Sequence, residues 1–546
     1  MNLMVEQAMT DVLVLGGGLS GYRAAIAARQ TGVNVIMAYR AHGASPYVIG
    51  FNAPIGATDP LDTPQVFFDD MVRGGYGLND RRLVRVLADQ SIDAYRELAA
   101  LGVPFAKLDG KVAQRHLSGN TYPRSVYIAE GTGGALLQAL KASASESGIQ
   151  TIGGQKVIGL LQDGGQIVGA LLWKPHSAAL LAIRARATVI AMGGIGRLYA
   201  GSTYPADVAA DSLAMAFEAG ARLIDMEFVQ FEPVVTVWPE ACRGMEMPTA
   251  MLGDGAQLLN ARGERFMMRV NPPLGERGIE KAKMALHIQR EIDEGRGLPQ
   301  GGVLFDTRRI PPDRLESYVS HCSRLRSAGV DPAKQSPIVA PAAHSIMGGI
   351  AIDHHGASDV PGLFVGGEAA GGVHGASRVA GNGCADTLVF GALAGRGAVA
   401  GMLDERQRDW GRIVGDAVGA LKAAHGKQAS GVAELKGRIR NILATCAGIW
   451  RAEPSLRVGL AHLQLISDRL DRRTGADIAE VVELLEARRM ALVARTIVKA
   501  ALSRTESRGA HQRTDFPQSD DTNWLRHTSF RRGPSGEVIE EVIPIQ

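Results

Sequence analysis

The chain has 546 residues, of which 46% are hydrophobic and 21% charged, a length that divides into roughly two to four domains. A formal net charge of +3 over this length gives no reason to expect a nucleic acid or an anionic membrane as partner. The four cysteines are far apart, which excludes an obvious zinc or iron–sulfur site and is typical of a reducing compartment. No signal peptide or bilayer-length apolar run is recognisable, so we expect a soluble, cytoplasmic protein without direct membrane insertion.

The N-terminal stretch "DVLVLGGGLSGYRAAIAARQTGVNVIMAYR" has the pattern of a strand, a turn, a helix and a second strand. Val12–Leu15 and Val33–Met37 are the predicted strands, and between them three glycines have the G-x-G-x-x-G spacing: Gly16, Gly18 and Gly21. Such glycines allow a tight turn and let a pyrophosphate approach the helix N-terminus. The second strand runs into Ala38-Tyr39-Arg40 without an acidic residue, so a ribose must be contacted differently there.

Further along the chain, residues 69–106 have helical spacing, and Gly164-Gly165 divides an alternating stretch into a predicted hairpin. A Met-, Pro- and charge-rich segment follows "DMEF" and extends to about residue 337. A second glycine-dense block then returns to the strand–turn–helix pattern, before a helical region from about 404 to 504. The polar residues at the C-terminus are predicted to form an extended tail on the surface. This order indicates a nucleotide-binding domain that is interrupted by an inserted domain and followed by a helical one.

Six blocks occur in an order that resembles one known family: "ATVIAMGGIGRLY", "EFVQFEP", "GERFM", "HSIMGGIAID", "VPGLFVGGEAAGGVHGASRVAGN" and "SRGAHQRTDFPQSDDTNWLRHT". Together they resemble the flavoprotein subunits of succinate dehydrogenase and fumarate reductase, with L-aspartate oxidase as a close relative. The resemblance covers nearly the whole chain. It is specific for the family and much less so for the substrate.

The resemblance implies an α/β fold in which an FAD-binding Rossmann-like domain is interrupted by an α+β capping domain and followed by a C-terminal helical domain. The expected boundaries are 1–232 and 338–403 for the FAD-binding domain, 233–337 for the capping and substrate domain, 404–515 for the helical domain and 516–546 for the tail.

The resemblance also implies which residues bind FAD. Gly16, Gly18 and Gly21 would hold the pyrophosphate, Asp211 would contact FAD, and Glu368 would hold the ribose. A helix N-terminus would face the flavin ring through Asn382, Gly383 and Cys384, where its positive end stabilises the reduced flavin. Some family members attach FAD covalently through a histidine. Here that position falls on Gly43, beside His42, and we expect non-covalent FAD.

For the substrate, the resemblance implies that His344 and Arg378 bind a carboxylate, a task that suits the planar guanidinium fork. Succinate and fumarate enzymes have F-H-P where this chain has F-E-P, with Glu232 in place of the histidine. Because like charges repel, Glu232 argues against plain succinate or fumarate and favours a substrate with an amine, hydroxyl, amide or heterocycle at that end. The alternative is that Glu232 pairs with Arg243 or another cation of the inserted segment and does not meet the substrate.

Two further positions depart from the family pattern. The family's Thr-Glu pair appears as Pro248-Thr249, and the arginine that moves the proton has no clear counterpart. Counting from the flanking motifs places Lys281 or Glu280 at the position of that arginine, and Arg277 is nearby. A lysine or arginine at this position would act as the acid or base.

The expected function is an FAD-dependent oxidoreductase acting on CH–CH or CH–NH groups, with hydride transfer between flavin N5 and a small carboxylate-containing substrate that is not plain succinate. A true fumarate reductase, succinate dehydrogenase or L-aspartate oxidase-like subunit is the first alternative, and a non-catalytic flavin-binding scaffold the second. The chain has no cysteine clusters of its own, so an iron–sulfur or other electron-transfer partner would be a separate subunit.

Overall fold

The computed structural model of the protein describes residues 3–404, 408–426 and 431–545. Its strands are β1 (Val5–Leu15), β2 (Val35–Ala38), β3 (Phe51–Asn52), β4 (Lys107–Leu108), β5 (Lys111–Val112), β6 (Gln114–Arg115), β7 (Ser125–Val126), β8 (Gln150–Ile152), β9 (Lys156–Asp163), β10 (Gln166–Lys174), β11 (Ala179–Ile190), β12 (Leu223–Ile224), β13 (Val229–Trp238), β14 (Gln257–Leu259), β15 (Val303–Asp306), β16 (Ile338–Ile346), β17 (Gly349–Ile350), β18 (Leu363–Val365), β19 (Trp450–Arg451), β20 (Gln512–Arg513), β21 (Arg526–Arg532) and β22 (Val538–Pro544).

Its α-helices are α1 (Leu19–Arg29), α2 (Pro64–Gly74), α3 (Arg81–Ala100), α4 (Thr132–Glu146), α5 (Asp211–Glu218), α6 (Ala250–Gly253), α7 (Met267–Val270), α8 (Lys281–Asp293), α9 (Pro312–Glu316), α10 (Val319–Ser327), α11 (Asn382–Ala400), α12 (Trp410–Ala423), α13 (Val432–Cys446), α14 (Glu453–Asp471), α15 (Ile478–Ser503) and α16 (Asp521–Trp524). None of the helices in the described ranges is long and apolar enough to cross a membrane.

The largest sheet has the strand order β8-β2-β1-β11-β10-β9, and β18 also pairs with β11. Strands β8, β2, β1, β11 and β18 run parallel to one another. The hairpin predicted around Gly164-Gly165 is confirmed, because β9 and β10 pair in antiparallel register. Carboxyl ends of parallel strands share one edge of a sheet, so the segments that follow β1, β11 and β18 meet there.

Helix α11 packs closely on α1 because both contribute small residues. A Cβ atom on Gly395 would lie 2.1 Å from the carbonyl oxygen of Ala24, and one on Gly391 would lie 2.6 Å from that of Ser20. Fourteen of the nineteen residues of α11 are buried, so this helix lies within the core rather than on its surface. The contact fixes α11 to the glycine-rich turn that precedes α1.

A second sheet, with the order β13-β16-β15-β14, carries two of the predicted site residues. Glu232 lies on β13 and His344 on β16. Gln230 pairs with Ser345 and Phe231 with Ala343, so His344 is the extra residue of a β-bulge. A second irregularity follows Glu232, where Pro233 has no N–H group to donate to the ladder. Bulges re-aim side chains, and here they flank both residues.

Most of residues 516–526 and 534–545 are exposed or half-buried, but residues 527–530 of the predicted surface tail are buried. Strand β21 pairs with β12 and with β22, and Phe530 and Ser529 are fully buried. Before it, Arg504 is buried between the carboxylates of Glu227 (2.5 Å) and Glu506 (2.9 Å). Polar residues just before the predicted tail thus form a buried ion-pair network, which sequence patterning cannot distinguish from a solvated segment.

Candidate active site

The glycine turn after β1 is shaped by contacts that leave no room for side chains. Gly16 has φ +126°, and a Cβ atom there would lie 2.1 Å from the carbonyl oxygen of Ala191. A Cβ atom on Gly21 would lie 2.0 Å from the carbonyl oxygen of Gly16, so the helix packs directly on the turn. Gly18 is the N-cap of α1 and brings no side chain to the first turn. The positive end of α1, where the Leu19 N–H donates to the Ser45 hydroxyl (3.0 Å), is the kind of site that a pyrophosphate binds.

Glu368 follows β18 and faces the turn that follows β11. Its carboxylate accepts hydrogen bonds from the Tyr204 hydroxyl and from the Ile346 N–H (3.1 Å). A Cβ atom on Gly194 would lie 3.0 Å from its carboxyl carbon. Burial raises the pKa of Glu368 to about 7, against the hydrogen bond from Ile346 and the charge of Arg378. This acid at the carboxyl edge of the sheet is suited to accept hydrogen bonds from ribose hydroxyls.

The other predicted cofactor residues lie at two helix N-termini. Asp211 begins α5, and its carboxylate faces Arg489 at 3.4 Å and Lys156 at 4.0 Å. Asn382 is the first residue of α11 and accepts a hydrogen bond from Asn52 (2.6 Å). Gly383 and Cys384 occupy the same first turn, and a Cβ atom on Gly383 would lie 3.4 Å from the Arg378 guanidinium. The N-terminus of α11 therefore adjoins the predicted carboxylate-binding residue.

His42 has both ring nitrogens engaged by the chain. Its Nδ1 lies 2.7 Å from the carbonyl oxygen of Gly17, and its Nε2 lies 2.7 Å from Nζ of Lys141. A carbonyl oxygen only accepts, so Nδ1 carries the proton and Nε2 accepts from the ammonium group. Neither nitrogen is left as a nucleophile toward a flavin.

Glu232 forms a buried ion pair with Lys281. The Lys281 ammonium nitrogen lies 2.8 Å from each of the two carboxylate oxygens, and the Glu232 side chain is 2% exposed. Burial and the nearby carboxylate of Glu246 raise the pKa of Glu232 to about 7, and Lys281 opposes the shift. Burial favours the neutral amine of Lys281, but Glu232 and Glu246 outweigh it and raise the Lys281 pKa. Lys281 is therefore an ammonium ion held between carboxylates.

Of the two interpretations of Glu232, the structure favours pairing with a cation of the inserted segment. That cation is Lys281 at the start of α8 and not Arg243, whose guanidinium binds Glu240 at 2.7 Å on the surface. Arg277 is exposed in the turn before α8, and its carbonyl oxygen accepts a hydrogen bond from Asn271. The structure thus brings Lys281 into the cluster and leaves Arg277 outside it.

Glu246 is a member of the cluster that the sequence motifs did not reveal. Its carboxylate lies 3.5 Å from the Lys281 ammonium, and ligand atoms of Glu232, Glu246 and His344 all lie within 4.8 Å of one another. Burial works against its ionised form, but the charge of Lys281 lowers the Glu246 pKa. The family motif placed this end of the site at Pro248-Thr249. The sequence signal that could have revealed Glu246 is its position between two methionines, Met245 and Met247, which the structure shows to be buried.

His344 and Arg378 complete the cluster. His344 Nδ1 lies 3.0 Å from the Thr203 hydroxyl, and burial lowers the His344 pKa to about 4, so the ring is neutral at neutral pH. Burial also lowers the Arg378 pKa, although Glu368, Glu232 and Glu246 oppose the shift. The Nε atom of Arg378 is buried without a hydrogen-bond partner in the described residues. A guanidinium whose Nε–H has no partner among the described residues, in a cluster with a neutral imidazole, is suited to receive a carboxylate.

These features define a class of protein: a dinucleotide-binding oxidoreductase whose second sheet carries a cluster of buried and half-buried charged side chains. A family model described as an FAD binding domain matches residues 11–384, and one described as the fumarate reductase flavoprotein C-terminus matches residues 436–543. The chain belongs to the flavoprotein subunit family of succinate dehydrogenase and fumarate reductase, and it is an FAD-dependent oxidoreductase.

Individual relatives match over almost the full length. The chain is 35% identical to a subunit of the fumarate reductase (CoM/CoB) of Methanothermobacter marburgensis, with 97% of this chain and 98% of the relative covered. It is 31% identical to L-aspartate oxidase of Streptomyces coelicolor, with 96% and 92% covered. Among solved structures, Sdh1 of Mycobacterium smegmatis in complex with UQ1 matches with a TM-score of 0.89 and 31% identity over 99% of this chain and 95% of that one.

The expected α/β fold, FAD and oxidoreductase class are thereby confirmed, whereas the domain boundaries and the roles of individual site residues stay predictions. The residues present fit FAD, because the glycine turn brings no side chain of its own to the N-terminus of α1, and α1 and α11 direct their N-termini to the same edge of the sheet.

Proposed function

We propose that the protein transfers hydride between flavin N5 and a small organic acid that it holds by one carboxylate, and that the acid is not plain succinate or fumarate. The observation that carries the proposal is the Lys281 ammonium, bound at 2.8 Å by Glu232 in the same buried cluster as Arg378. This arrangement supports the proposal, because the expected carboxylate anchor and a proton-bearing group lie in one cluster near the N-terminus of α11, the helix that is expected to face the flavin.

Arg378 and His344 would bind the substrate carboxylate. The guanidinium supplies the charge, and the neutral imidazole supplies a hydrogen bond without adding a second charge. FAD, when bound, accepts or supplies the hydride. The remaining step is movement of a proton at the neighbouring carbon, and Lys281 is the candidate for it, with Arg277 displaced from that role by its exposure.

The state of Lys281 favours reduction of the substrate. Two carboxylates hold the amine in its charged form, so it has a proton to give. Acting as a base in the opposite direction requires the neutral amine, which the same carboxylates disfavour. Glu232 would keep Lys281 in place and ionised, acting on catalysis through the lysine. Reduction of an activated carbon–carbon or carbon–nitrogen double bond is therefore the preferred direction.

The cofactor is proposed to be non-covalent, since both nitrogens of His42 are occupied. An electron-transfer partner, iron–sulfur or other, is proposed because the Methanothermobacter relative is named as one subunit of a fumarate reductase. Such a partner would exchange electrons with the flavin and leave the substrate pocket to this chain.

Spectroscopy of the purified flavoprotein tests the proposal. The flavin is photoreduced without oxygen, and a panel of small unsaturated or imino acids is added while the oxidised-flavin absorbance is followed. We expect at least one monocarboxylic acid to reoxidise the flavin faster than fumarate does, and Arg378→Met to abolish the response. Preference for fumarate would instead establish a fumarate reductase. No reoxidation by any acid would refute the proposed function.

A further inference from the structure

Two carboxylates in the site share one ammonium group. Both oxygens of Glu232 lie 2.8 Å from Nζ of Lys281, whereas Glu246 reaches the same nitrogen at 3.5 Å with one oxygen. The bidentate geometry commits Lys281 mainly to Glu232. Glu246 makes only the longer, 3.5 Å contact with the Lys281 ammonium group, which is already paired with Glu232.

The charges of the whole cluster lead to the same conclusion. Above about pH 7, where Glu232 is ionised, Glu232 and Glu246 carry two negative charges, Lys281 and Arg378 carry two positive ones, and His344 is neutral. A substrate carboxylate on Arg378 adds one more negative charge. The occupied site then has one excess negative charge, and an excess charge in a partly buried site is costly unless it is paired.

Glu246 is the acid that a ligand can reach. Its side chain is 36% exposed, compared with 2% for Glu232 and 25% for Lys281. The charged and titratable groups that face it are Lys281 from α8, Glu232 from β13, His344 from β16, Arg378 from the loop before α11, and His321 from α10, which lies against the Glu246 backbone. Among these, Lys281 and Arg378 are cations. Lys281 is bound to Glu232, and Arg378 would form an ion pair with the substrate carboxylate.

We propose that Glu246 binds a cationic group of the substrate, so that the substrate class is a small monocarboxylic acid with an ammonium or amidinium group at its opposite end. The inference rests on the proposed function and narrows its substrate. The substrate cation would lie against the free oxygen of Glu246, and the carboxylate against Arg378. The ligand then neutralises both poles at once, which a hydroxyl, an amide or a second carboxylate does not do.

Three acids with the same four-carbon chain test which charge the site prefers at the end of the ligand that would face Glu246. Succinate ends in a second carboxylate, butyrate in a methyl group and 4-aminobutyrate in an ammonium group. Their dissociation constants are measured from the perturbation of the oxidised flavin spectrum. We expect 4-aminobutyrate to bind about tenfold or more tightly than butyrate, as a charge-assisted hydrogen bond to a carboxylate allows, and succinate to bind most weakly.

Glu246→Gln and Glu240→Gln form the matched pair of variants. Glu246→Gln keeps the size of the side chain and removes its charge, so the preference for 4-aminobutyrate over butyrate should disappear while butyrate binding is retained. Glu240 is an exposed acid in the same segment, paired with Arg243, and its substitution should leave all three constants unchanged.

Calorimetry in two buffers of different ionisation enthalpy adds a second readout. The measurement is made well above pH 7, where Glu232 is already ionised. If the ligand cation pairs with Glu246, binding of 4-aminobutyrate is then accompanied by no net proton uptake. Uptake of one proton would show that an acid of the cluster has been neutralised instead, and would overturn the inference.

The outcomes separate the inference from the proposed function. Equal or tighter binding of butyrate or succinate, or an unchanged preference in Glu246→Gln, overturns the role of Glu246 while leaving a carboxylate-binding oxidoreductase intact. Failure of all three acids to bind, together with no flavin reoxidation by the wider panel, refutes the proposed function itself.

Discussion

The ammonium nitrogen of Lys281 lies equidistant from the two carboxylate oxygens of Glu232, at 2.8 Å from each. The carboxylate comes from β13 and the ammonium from the first residue of α8, so a strand and a helix of the same packed unit fix the pair. Symmetrical bidentate contact leaves the lysine little freedom to swing. The contact therefore fixes the position from which the Lys281 ammonium group would deliver a proton.

Replacing Lys281 should abolish most of the turnover without removing the flavin. We expect Lys281→Met to reduce kcat by about 10²-fold or more, because it removes the proposed general acid, while the flavin-to-protein absorbance ratio stays at the wild-type value. Lys283→Met is the matched control, since Lys283 lies on the same helix with a 61% exposed side chain. Full turnover in Lys281→Met would remove this residue from the mechanism.

Glu232→Gln should change the pH dependence of turnover. Burial and Glu246 raise the Glu232 pKa to about 7, so the wild-type carboxylate gains a proton and releases Lys281 as the pH falls through that value. We therefore expect kcat to fall on the acidic side of about pH 7 in the wild type. Glu232→Gln should have a lower kcat throughout and no such acidic limb. An unchanged limb in the variant would assign it to another group.

The raised pKa of Glu232 also makes the free energy of unfolding depend on pH. The ordinary pKa of a glutamate is 4.5, so the unfolded chain loses the Glu232 proton above pH 4.5. The folded protein keeps that proton up to about pH 7. The free energy of unfolding contributed by this group therefore decreases as the pH rises from 4.5 to about 7. Denaturation curves at several pH values should show a weaker decrease over this interval in Glu232→Gln.

Arg378→Lys should weaken substrate binding because an ammonium group cannot form two parallel hydrogen bonds with a carboxylate. We expect KM to rise by about 10- to 100-fold with a smaller change in kcat, since the charge is retained. Arg243→Lys is the control, because its guanidinium binds Glu240 on the surface. An unaltered KM in Arg378→Lys would exclude the guanidinium as the carboxylate anchor.

Gly21→Ala should impair FAD binding because its methyl group would lie 2.0 Å from the carbonyl oxygen of Gly16. Helix α1 must then move away from the glycine turn, which displaces the N–H groups offered to the pyrophosphate. Gly134→Ala is the matched control, also in a helix but with no neighbouring atom within 4 Å. Flavin absorbance per protein should drop in the first variant only. Equal flavin content in both would contradict the pyrophosphate role of the turn.

The positions of the buried strands and the glycine turn followed from the sequence because local rules govern them. The apolar run before Gly16 and the paired glycines at 164–165 correctly predicted strands, although β1 begins at Val5, earlier than the apolar run suggests. Its first residues pair with β11, and backbone hydrogen bonds extend a strand beyond its hydrophobic part. Local patterning does not report such pairing.

The composition of the cluster was only partly predictable. Glu232, His344 and Arg378 were recognised because ordered motifs mark them, and Lys281 was found by counting between motifs. Glu246 was missed, since no motif marks it and the insertion brings it back to β13, where Glu246 forms a bridge with Val235. Arg277 was retained beside Lys281 because spacing alone could not tell an exposed turn from the first residue of a helix.

By itself, the sequence determined the family and the position of the glycine turn after β1, and it predicted His344 and Arg378 as a carboxylate-binding pair, because each depends on residue types at fixed local spacing. Only the tertiary structure decided what Glu232 contacts. That contact joins residues 49 positions apart, and its energy depends on burial and on which of two carboxylates lies closer to one ammonium group. Distances of this kind are set by the packing of α8 on β13, which no local pattern encodes.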